Sequence, residues 1–430
     1  MTKQSLRLLI GSAAAAAIVT AAALQTRGQA GGTAGLPPPS AGLIALNMKF
    51  QGASSCSNAQ CHGADKEKPN GDSFSNEFTM WSKTIDQQAD PHHAKAWAAL
   101  RNADGKKIST GLGIPDGAKS DRCLTCHALQ APDALQGKGY TLNEGITCEA
   151  CHGPSEKWLE PHGKVGWYKQ QTSSASFADL LKNFGLYDTR PIHARAERCT
   201  SCHLAIDPAL VANGHPQPTF ELNFFSDTYP NRHWHDPSGL YKVKLWAGGQ
   251  QVALREALLQ VAARSGAGGK ALDDAYNQAM AHWAMMNQIL LIIQPPGGSA
   301  LGQAMQQLDS AHSGKSGLDA AAKAAADADD KLADAVEKYQ PDNAGTLKML
   351  SAISQQTDLA PKLGKNAQDQ QSYAIYALYA GYADSIKPGT VASGQDKVLT
   401  DIGAKLFPDM PLTPDQFVNN LKQLQGELPK

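Results

Sequence analysis

Four cysteine pairs, each followed directly by a histidine, are the groups of this 430-residue chain with the clearest chemistry. Three are Cys-x-x-Cys-His pentapeptides, at 123–127, 148–152 and 199–203, and the fourth, at 56–62, has four residues between its cysteines. The thiols of such a pair can bond to the vinyl groups of one haem, and the histidine can bind its iron. The pattern predicts four covalently attached c-type haems.

These motifs use all eight cysteines of the chain. The predicted attachment residues are Cys56, Cys61, Cys123, Cys126, Cys148, Cys151, Cys199 and Cys202, and the predicted proximal iron ligands are His62, His127, His152 and His203. Zinc also binds Cys-x-x-Cys pairs but does not require a histidine after each one. A disulfide framework is disfavoured because such short pairs close almost no loop. For Cys56 and Cys61, a local disulfide is the alternative.

Nine further histidines are available for the second axial position of each iron. Seven fall between residues 92 and 235, among the haem motifs, and two lie beyond. In chain order they are His92, His93, His162, His193, His215, His233, His235, His282 and His312. Four haems need at most four distal ligands, so the chain has enough histidines for bis-histidine ligation of every iron. Spacing alone does not decide which histidine binds which iron. His282 and His312 are expected to be packing or surface residues.

The N-terminal residues predict export. Lys3 and Arg7 precede an apolar run from Leu8 to Leu24. The segment that follows ends in a small residue, Ala30, as a signal-peptide cleavage site does. This is the layout of a secretory signal peptide over residues 1–30, with an uncleaved membrane anchor as the alternative. Residues 31–49, rich in glycine and proline, are expected to form a linker. We expect a periplasmic or otherwise extracytoplasmic location, where c-type haem is attached.

The charge of the chain limits its partners. The formal net charge is -1, and residues 1–30 carry three basic side chains and no acids, so the remainder has a charge of -4. Haem propionates add further negative charge. This balance disfavours nucleic acid as a partner and favours a redox protein that offers a basic patch. No Ser/His/Asp grouping indicates a hydrolase, and the sequence leaves open whether the chain is an enzyme or a carrier.

Two regions are expected after the linker. Residues 50–246 hold all the motifs amid frequent Gly, Pro, Asn and Asp, which predicts a loop-rich tetrahaem cytochrome c domain with short helices. Residues 247–430 contain no cysteine and show helical periodicity, as in Leu254, Leu258 and Val261. A longer apolar stripe runs from Leu272 to Ile293 and ends at Pro295. A further helix is expected from Ser316 to Tyr339. The predicted fold class is mainly α, with a C-terminal helical bundle.

Three sequence blocks around the motifs resemble a known family. They are residues 145–154, residues 90–100, and residues 214–222 followed by His233-Trp234. They are similar to the multihaem cytochromes c related to the nitrifiers' tetrahaem cytochrome c, the electron acceptor of hydroxylamine oxidoreductase. The similarity covers about residues 50–260. It implies closely stacked haem pairs, between which electrons hop without side-chain relays.

The same resemblance implies a set of distal ligands. They are His93, His162, His193 and His215, with His233 in reserve. One haem of the nitrifier protein lacks a distal ligand, which implies that an open iron can occur here. The chain departs from the family in the four-residue spacer of its first motif. It also lacks the further Cys-x-x-Cys-His-His site of longer relatives.

These expectations lead to two candidate functions. The first is electron transfer between redox partners through four mostly bis-histidine haems. The second is an oxidoreductase that acts on a small nitrogen or sulfur species at a five-coordinate haem. Catalytic multihaem nitrite reductases carry a lysine in place of one proximal histidine, and no Cys-x-x-Cys-Lys occurs in this chain. The first function is therefore the expected one.

Overall fold

The structure is a computed structural model that describes residues 41–69, 73–82, 91–174, 176–228, 233–314, 316–408 and 410–429. The expected signal peptide and residues 31–40 of the expected linker lie outside these ranges. The described end of that linker contains a short helix, and two of its side chains, Leu43 and Met48, are buried.

Short helices separated by loops make up the described chain as far as residue 228. They are α1 (Ala41–Ile44), α2 (Glu77–Ser82), α3 (Pro91–Ala94), α4 (Ala96–Ala99), α5 (Ala103–Gly111), α6 (Asp121–His127), α7 (Cys148–His152), α8 (Trp167–Ser174), α9 (Phe177–Phe184), α10 (Ile192–His203), α11 (Pro208–Ala212) and α12 (Leu222–Thr228). Single turns of 3₁₀ helix lie at Ala53–Cys56, Gly117–Lys119, Asp133–Leu135, Leu142–Glu144 and Pro161–Gly163. The loop-rich character expected for the haem region is confirmed.

Most of the long helices follow residue 240. They are α13 (Tyr241–Arg264), α14 (Gly269–Ile293), α15 (Gly298–Gly314), α16 (Leu318–Asp330), α17 (Ala333–Glu337), α18 (Asn343–Gln355), α19 (Leu359–Leu363), α20 (Lys365–Ile386), α21 (Thr390–Ser393), α22 (Lys397–Leu406) and α23 (Pro414–Leu424). The described residues form no strand, and their β-pairing is confined to one bridge between Phe50 and Gln136. The mainly α fold class is therefore confirmed. No helix within the described ranges is both long and apolar enough to cross a membrane.

The described residues fall into two compact units, and the chain passes through each of them twice. One consists of the described part of Met1–Gly52 with Ala96–Leu186, and the other of Ala53–Lys95 with Tyr187–Lys430. The second and third haem motifs lie in the first unit, and the first and fourth lie in the second. The boundary expected after residue 246 falls inside α13. The division of the chain at that boundary remains a prediction.

The first unit has a small side-chain core. Leu100, Cys123 and Leu124 are buried together, and Trp97 lies against them. Phe50 is fully buried, and its backbone pairs with the segment around Gln136. Such a small apolar cluster is expected where porphyrin faces supply much of the buried apolar surface.

The second unit is built around α13. This helix packs against α10, α12, α14, α16 and α20, and its expected apolar stripe of Leu254, Leu258 and Val261 is fully buried. The stripe predicted from Leu272 to Ile293 forms α14, which ends before Pro295 as expected. A helix surrounded on most sides needs no polar face, and α13 accordingly buries Gln250 and Gln251 as well.

The prediction of one helix from Ser316 to Tyr339 is wrong in one respect. The structure has two helices there, α16 and α17, separated at Lys331 and Leu332. The N–H of Leu332 bonds to the carbonyl of Asp329, three residues back, which tightens the turn. Leu332, at the break, and Val336, on α17, are both buried, with 1% of each residue exposed.

Candidate haem sites and axial ligands

Each of the three Cys-x-x-Cys-His motifs lies on a helix that ends at its histidine. They occupy the last five residues of α6, the whole of α7 and the last five residues of α10. On a helix, residues three apart lie on one face, about one turn from each other. Both thiols of each motif therefore project from the same side, as attachment to one haem requires. This placement agrees with the short helices expected in the haem region.

The first motif lies in a 3₁₀ turn and the loop that follows it, not on an α-helix. Cys56 ends a 3₁₀ turn, and the chain then folds back, because the carbonyl of Asn58 accepts the N–H groups of Cys61 and Gly63, both at 2.9 Å. A Cβ atom on Gly63 would lie 1.9 Å from the carbonyl oxygen of Ser57, so this turn requires glycine. The turn takes up the two extra residues of the spacer. The eight cysteines, those of this motif included, are not joined in disulfides.

His62, the histidine of the first motif, is held by the start of α2. Its Nδ1 lies 2.9 Å from Oε2 of Glu77, and its backbone carbonyl accepts the N–H of Phe78 at 2.9 Å. The hydrogen bond with Glu77 raises the pKa of His62, against the opposing effect of burial. When Nδ1 holds the ring proton, Nε2 carries the lone pair that can bind a metal.

His127 of the second motif is oriented in the same way by a neutral group. Its Nδ1 lies 2.8 Å from the backbone carbonyl oxygen of Ala96. A carbonyl can only accept, so Nδ1 carries the proton and Nε2 is again the metal-binding nitrogen. In both rings Nδ1 is hydrogen-bonded, which is the arrangement found when a histidine binds a metal through Nε2.

The third motif contains a buried carboxylate that the sequence analysis did not single out. Glu149, the residue after Cys148, has no exposed surface. Its carboxylate accepts the backbone N–H groups of Gln51, Gly52 and Ser155 at 2.7 to 2.8 Å. Glu149 therefore fixes the attachment helix α7 to a segment almost a hundred residues earlier in the chain.

His93 and His203 form a pair whose spacing fits two ligands of one iron. Their ring centroids are 6.1 Å apart and their planes are nearly perpendicular, at 88°. Imidazoles bound to opposite faces of a metal through bonds of about 2 Å have centres roughly 6 Å apart. His203 is the histidine of the fourth motif, so the residues present fit this one feature of an axially ligated haem, the spacing of two rings on one iron.

The other expected distal ligands differ in how their rings are held. Nδ1 of His162 bonds to the backbone carbonyls of Trp158 and Leu159, and Nδ1 of His215 lies 2.7 Å from the carbonyl of Pro216. In both cases Nδ1 donates, and Nε2 has the form that binds iron.

His193 has both of its ring nitrogens engaged. Nδ1 contacts the carboxylate of Glu337 on α17, and Nε2 lies 2.8 Å from Oε1 of Gln251 on α13. The amide nitrogen of Gln251 in turn donates to Asp329, whose pKa is raised well above its usual value by burial. This chain of polar groups joins α10, the helix of the fourth motif, to three helices of the bundle.

His233, the reserve ligand, lies among charged groups. Burial is the main cause that lowers its pKa to about 4; the nearby His62 and Arg195 lower it further, and Glu77 opposes them. A neutral imidazole is the form that ligates iron.

A buried arginine fixes the segment that carries His233. Arg195 is 1% exposed, makes a bidentate ion pair with Asp236 and lies 4.4 Å from the ring centroid of Trp234. The indole N–H of Trp234 donates to Thr189 at 3.0 Å. The sequence does not reveal this role, because no local pattern marks Arg195 as the partner of a residue 41 positions away.

His282 and His312 have surroundings typical of packing residues. His282 is fully buried in the bundle, with Nδ1 at 2.9 Å from Oε1 of Gln250. His312 stacks on the ring of Tyr276 with a centroid separation of 3.7 Å.

Comparison with known proteins adds a family relationship for the first three motifs. Residues 56–153 match the sequence profile of the family described as cytochrome c554 and c-prime. An alignment of 172 positions with cytochrome c-554 of Nitrosomonas europaea shows 26% identity. The alignment covers 37% of this chain and 60% of the length of that protein. No solved structure matches the chain. The resemblance expected from the sequence is confirmed, and residues 56–153, which hold the first three motifs, are similar to the cytochrome c554 family.

Proposed function

We propose that the chain is an exported tetrahaem c-type cytochrome that passes electrons between redox partners. The spacing of His93 and His203 carries the proposal most directly, because it suits two axial imidazoles on one iron beside an attachment motif. The relationship to cytochrome c554 over residues 56–153 supports haem attachment at the first three motifs.

The eight motif cysteines would hold four haems, and the motif histidines would bind the irons from one side. Each bound haem supplies a one-electron couple between ferric and ferrous iron. The protein fixes the axial rings. The Nδ1 contacts of His62 and His127 set the ring orientation and leave Nε2 toward the metal.

For the distal positions we propose His93 on the fourth haem, and His162, His193, His215 and His233 as the remaining candidates. Hydrogen-bonded Nδ1 atoms support His162 and His215, and a neutral ring supports His233. His193 would have to release Gln251 before its Nε2 can bind iron. Bis-histidine ligation without methionine would place the potentials below those of His/Met cytochromes c.

Export and partner choice follow from sequence features. The basic and apolar pattern of residues 1–30 supports passage out of the cytoplasm. The chain would then act in the periplasm or beyond. The charge of -4 on residues 31–430, made more negative by haem propionates, would steer the protein toward a redox partner with a basic surface.

One observation favours a second candidate, an oxidoreductase with a five-coordinate haem. Because both nitrogens of His193 are engaged, one distal position expected from the family resemblance lacks its ligand in this arrangement. An open iron binds small molecules, and a nitrogen or sulfur species is the substrate class we assign to this alternative.

Two measurements test the proposal on protein expressed with haem-maturation machinery. The intact mass should correspond to four haems; a mass of three, with Cys56 and Cys61 in a disulfide, would contradict the tetrahaem assignment. The electron paramagnetic resonance spectrum of the oxidised protein should contain only low-spin ferric signals. A strong high-spin signal would instead support the second candidate.

A further inference from the structure

The partner of His62 distinguishes the first motif from the second. Oε2 of Glu77 lies 2.9 Å from Nδ1 of His62, whereas His127 faces the backbone carbonyl of Ala96. The first contact joins an imidazole to an anion, and the second joins an imidazole to a neutral acceptor. Hydrogen bonds to ionised acceptors are roughly twice as strong as those between neutral groups.

Glu77 is held in position by contacts other than His62. Its second oxygen, Oε1, accepts the backbone N–H of Phe74 at 2.6 Å, and its side chain is only 10% exposed. Two backbone hydrogen bonds of 2.7 Å, Ala64 N–H to Ser75 and Lys68 N–H to Phe74, tie the chain after the first motif to the residues before α2. The carboxylate is therefore a fixed neighbour of the ring.

We propose that Glu77 is a positioning residue that lowers the reduction potential of the first haem through its hydrogen bond to His62. An anion at Nδ1 draws the proton away from the ring and makes Nε2 a stronger electron donor. A stronger donor stabilises ferric more than ferrous iron, and second-shell hydrogen bonding is an established means of tuning a metal site. The proposal rests on the proposed attachment of haem at Cys56 and Cys61.

The test compares two charge-neutralising substitutions in the full-length holoprotein. Glu77→Gln keeps the size of the side chain and removes its charge. Glu67→Gln is the matched control, because Glu67 is an exposed carboxylate on the same segment, five residues after His62. Haem content is first measured by intact mass, and the potentials are then measured by optical redox titration.

Glu77→Gln should raise the reduction potential of one haem. This increase should be larger than the change that Glu67→Gln causes in the potential of any haem. Glu77→Gln should also change the ferric g values of the affected haem. In a Cys56→Ala/Cys61→Ala background the Glu77 substitution should shift no remaining haem, which assigns the effect to the first motif. If all haems are present and the two Gln variants have the same potentials, the proposal is overturned.

Two outcomes separate this proposal from the proposed function. A wild-type mass of three haems refutes attachment at the first motif and, with it, the role of Glu77. If Glu77→Gln alone loses a haem, Glu77→Asp becomes the deciding variant. It keeps the charge on a shorter side chain, which weakens the hydrogen bond, so the first haem should remain at a raised potential. An unchanged potential in that variant overturns the proposal.

Discussion

Gly248 on α13 lies so close to Ile192, the first residue of α10, that a Cβ atom on Gly248 would be 2.4 Å from Cγ2 of Ile192. The next residue, Gly249, is equally close to Leu222, the first residue of α12. Two adjacent glycines therefore let the central helix of the second unit approach two elements of the haem region. One of them is the helix that ends in the fourth haem motif.

Gly248→Ala should destabilise the protein by about 1–3 kcal/mol, because the added methyl group forces Ile192 or α10 to move. The matched control is Gly302→Ala on α15, where a Cβ atom meets nothing within 4 Å. That substitution should stabilise its helix by up to about 1 kcal/mol, since alanine is the better helix former. Urea unfolding followed by circular dichroism measures both. Equal effects of the two substitutions would refute the close packing of α10 on α13.

His93→Ala should convert one haem from low spin to high spin. The iron of the fourth motif would lose a strong-field imidazole, leaving His203 as its axial ligand. Electron paramagnetic resonance and the visible absorption spectrum report the change.

The neighbouring histidine provides the control for this change. His92, an exposed residue beside His93, should leave the spectrum nearly unchanged when replaced by Ala. In a Cys199→Ala/Cys202→Ala background, His93→Ala should have no further effect on spin state. A spin change in His92→Ala alone would mean that the ligand is the preceding residue.

The difference between what the sequence predicts and what it misses lies in the range of the interactions. The haem motifs and the α14 stripe are patterns within a few residues, so periodicity and spacing identify them. The hydrogen-bond partners of the histidine rings are set by packing between distant segments. Ala96 precedes His127 by 31 residues, and Glu337 follows His193 by 144. No local pattern encodes such pairs.

Glu149→Gln should destabilise the protein by about 1.5–3 kcal/mol for each charged hydrogen bond that it weakens. The buried carboxylate accepts three backbone N–H groups, and an amide can present only its single oxygen to them. We expect reduced haem incorporation at the third motif, measured by intact mass, together with a lower urea midpoint. Glu160→Gln, at an exposed position in the same unit, should leave both quantities unchanged. Full incorporation and an unchanged midpoint in Glu149→Gln would refute this anchoring role.

The stability of the bundle should decrease as the pH is lowered, because His282 takes up a proton on unfolding. Burial lowers the pKa of this ring to about 3 in the folded protein, whereas an unfolded histidine titrates near about 6.5. Between these values the unfolded chain binds a proton that the folded chain does not, so acidification favours unfolding. The free energy of unfolding should therefore decrease by up to about 1.4 kcal/mol per pH unit below pH 6.5 from this group alone.

His282→Asn isolates that contribution. The asparagine amide can replace the Nδ1 donor to Gln250, but it does not titrate. Urea unfolding of both proteins, followed by far-ultraviolet circular dichroism from pH 7.5 to pH 4.5, gives the difference in unfolding free energy. Other titrating groups are common to both proteins and cancel in this difference. The substitution should cost stability near neutral pH, and the cost should shrink steadily below pH 6.5. Parallel curves across the whole range would show that His282 is protonated in the folded bundle as readily as in the unfolded chain.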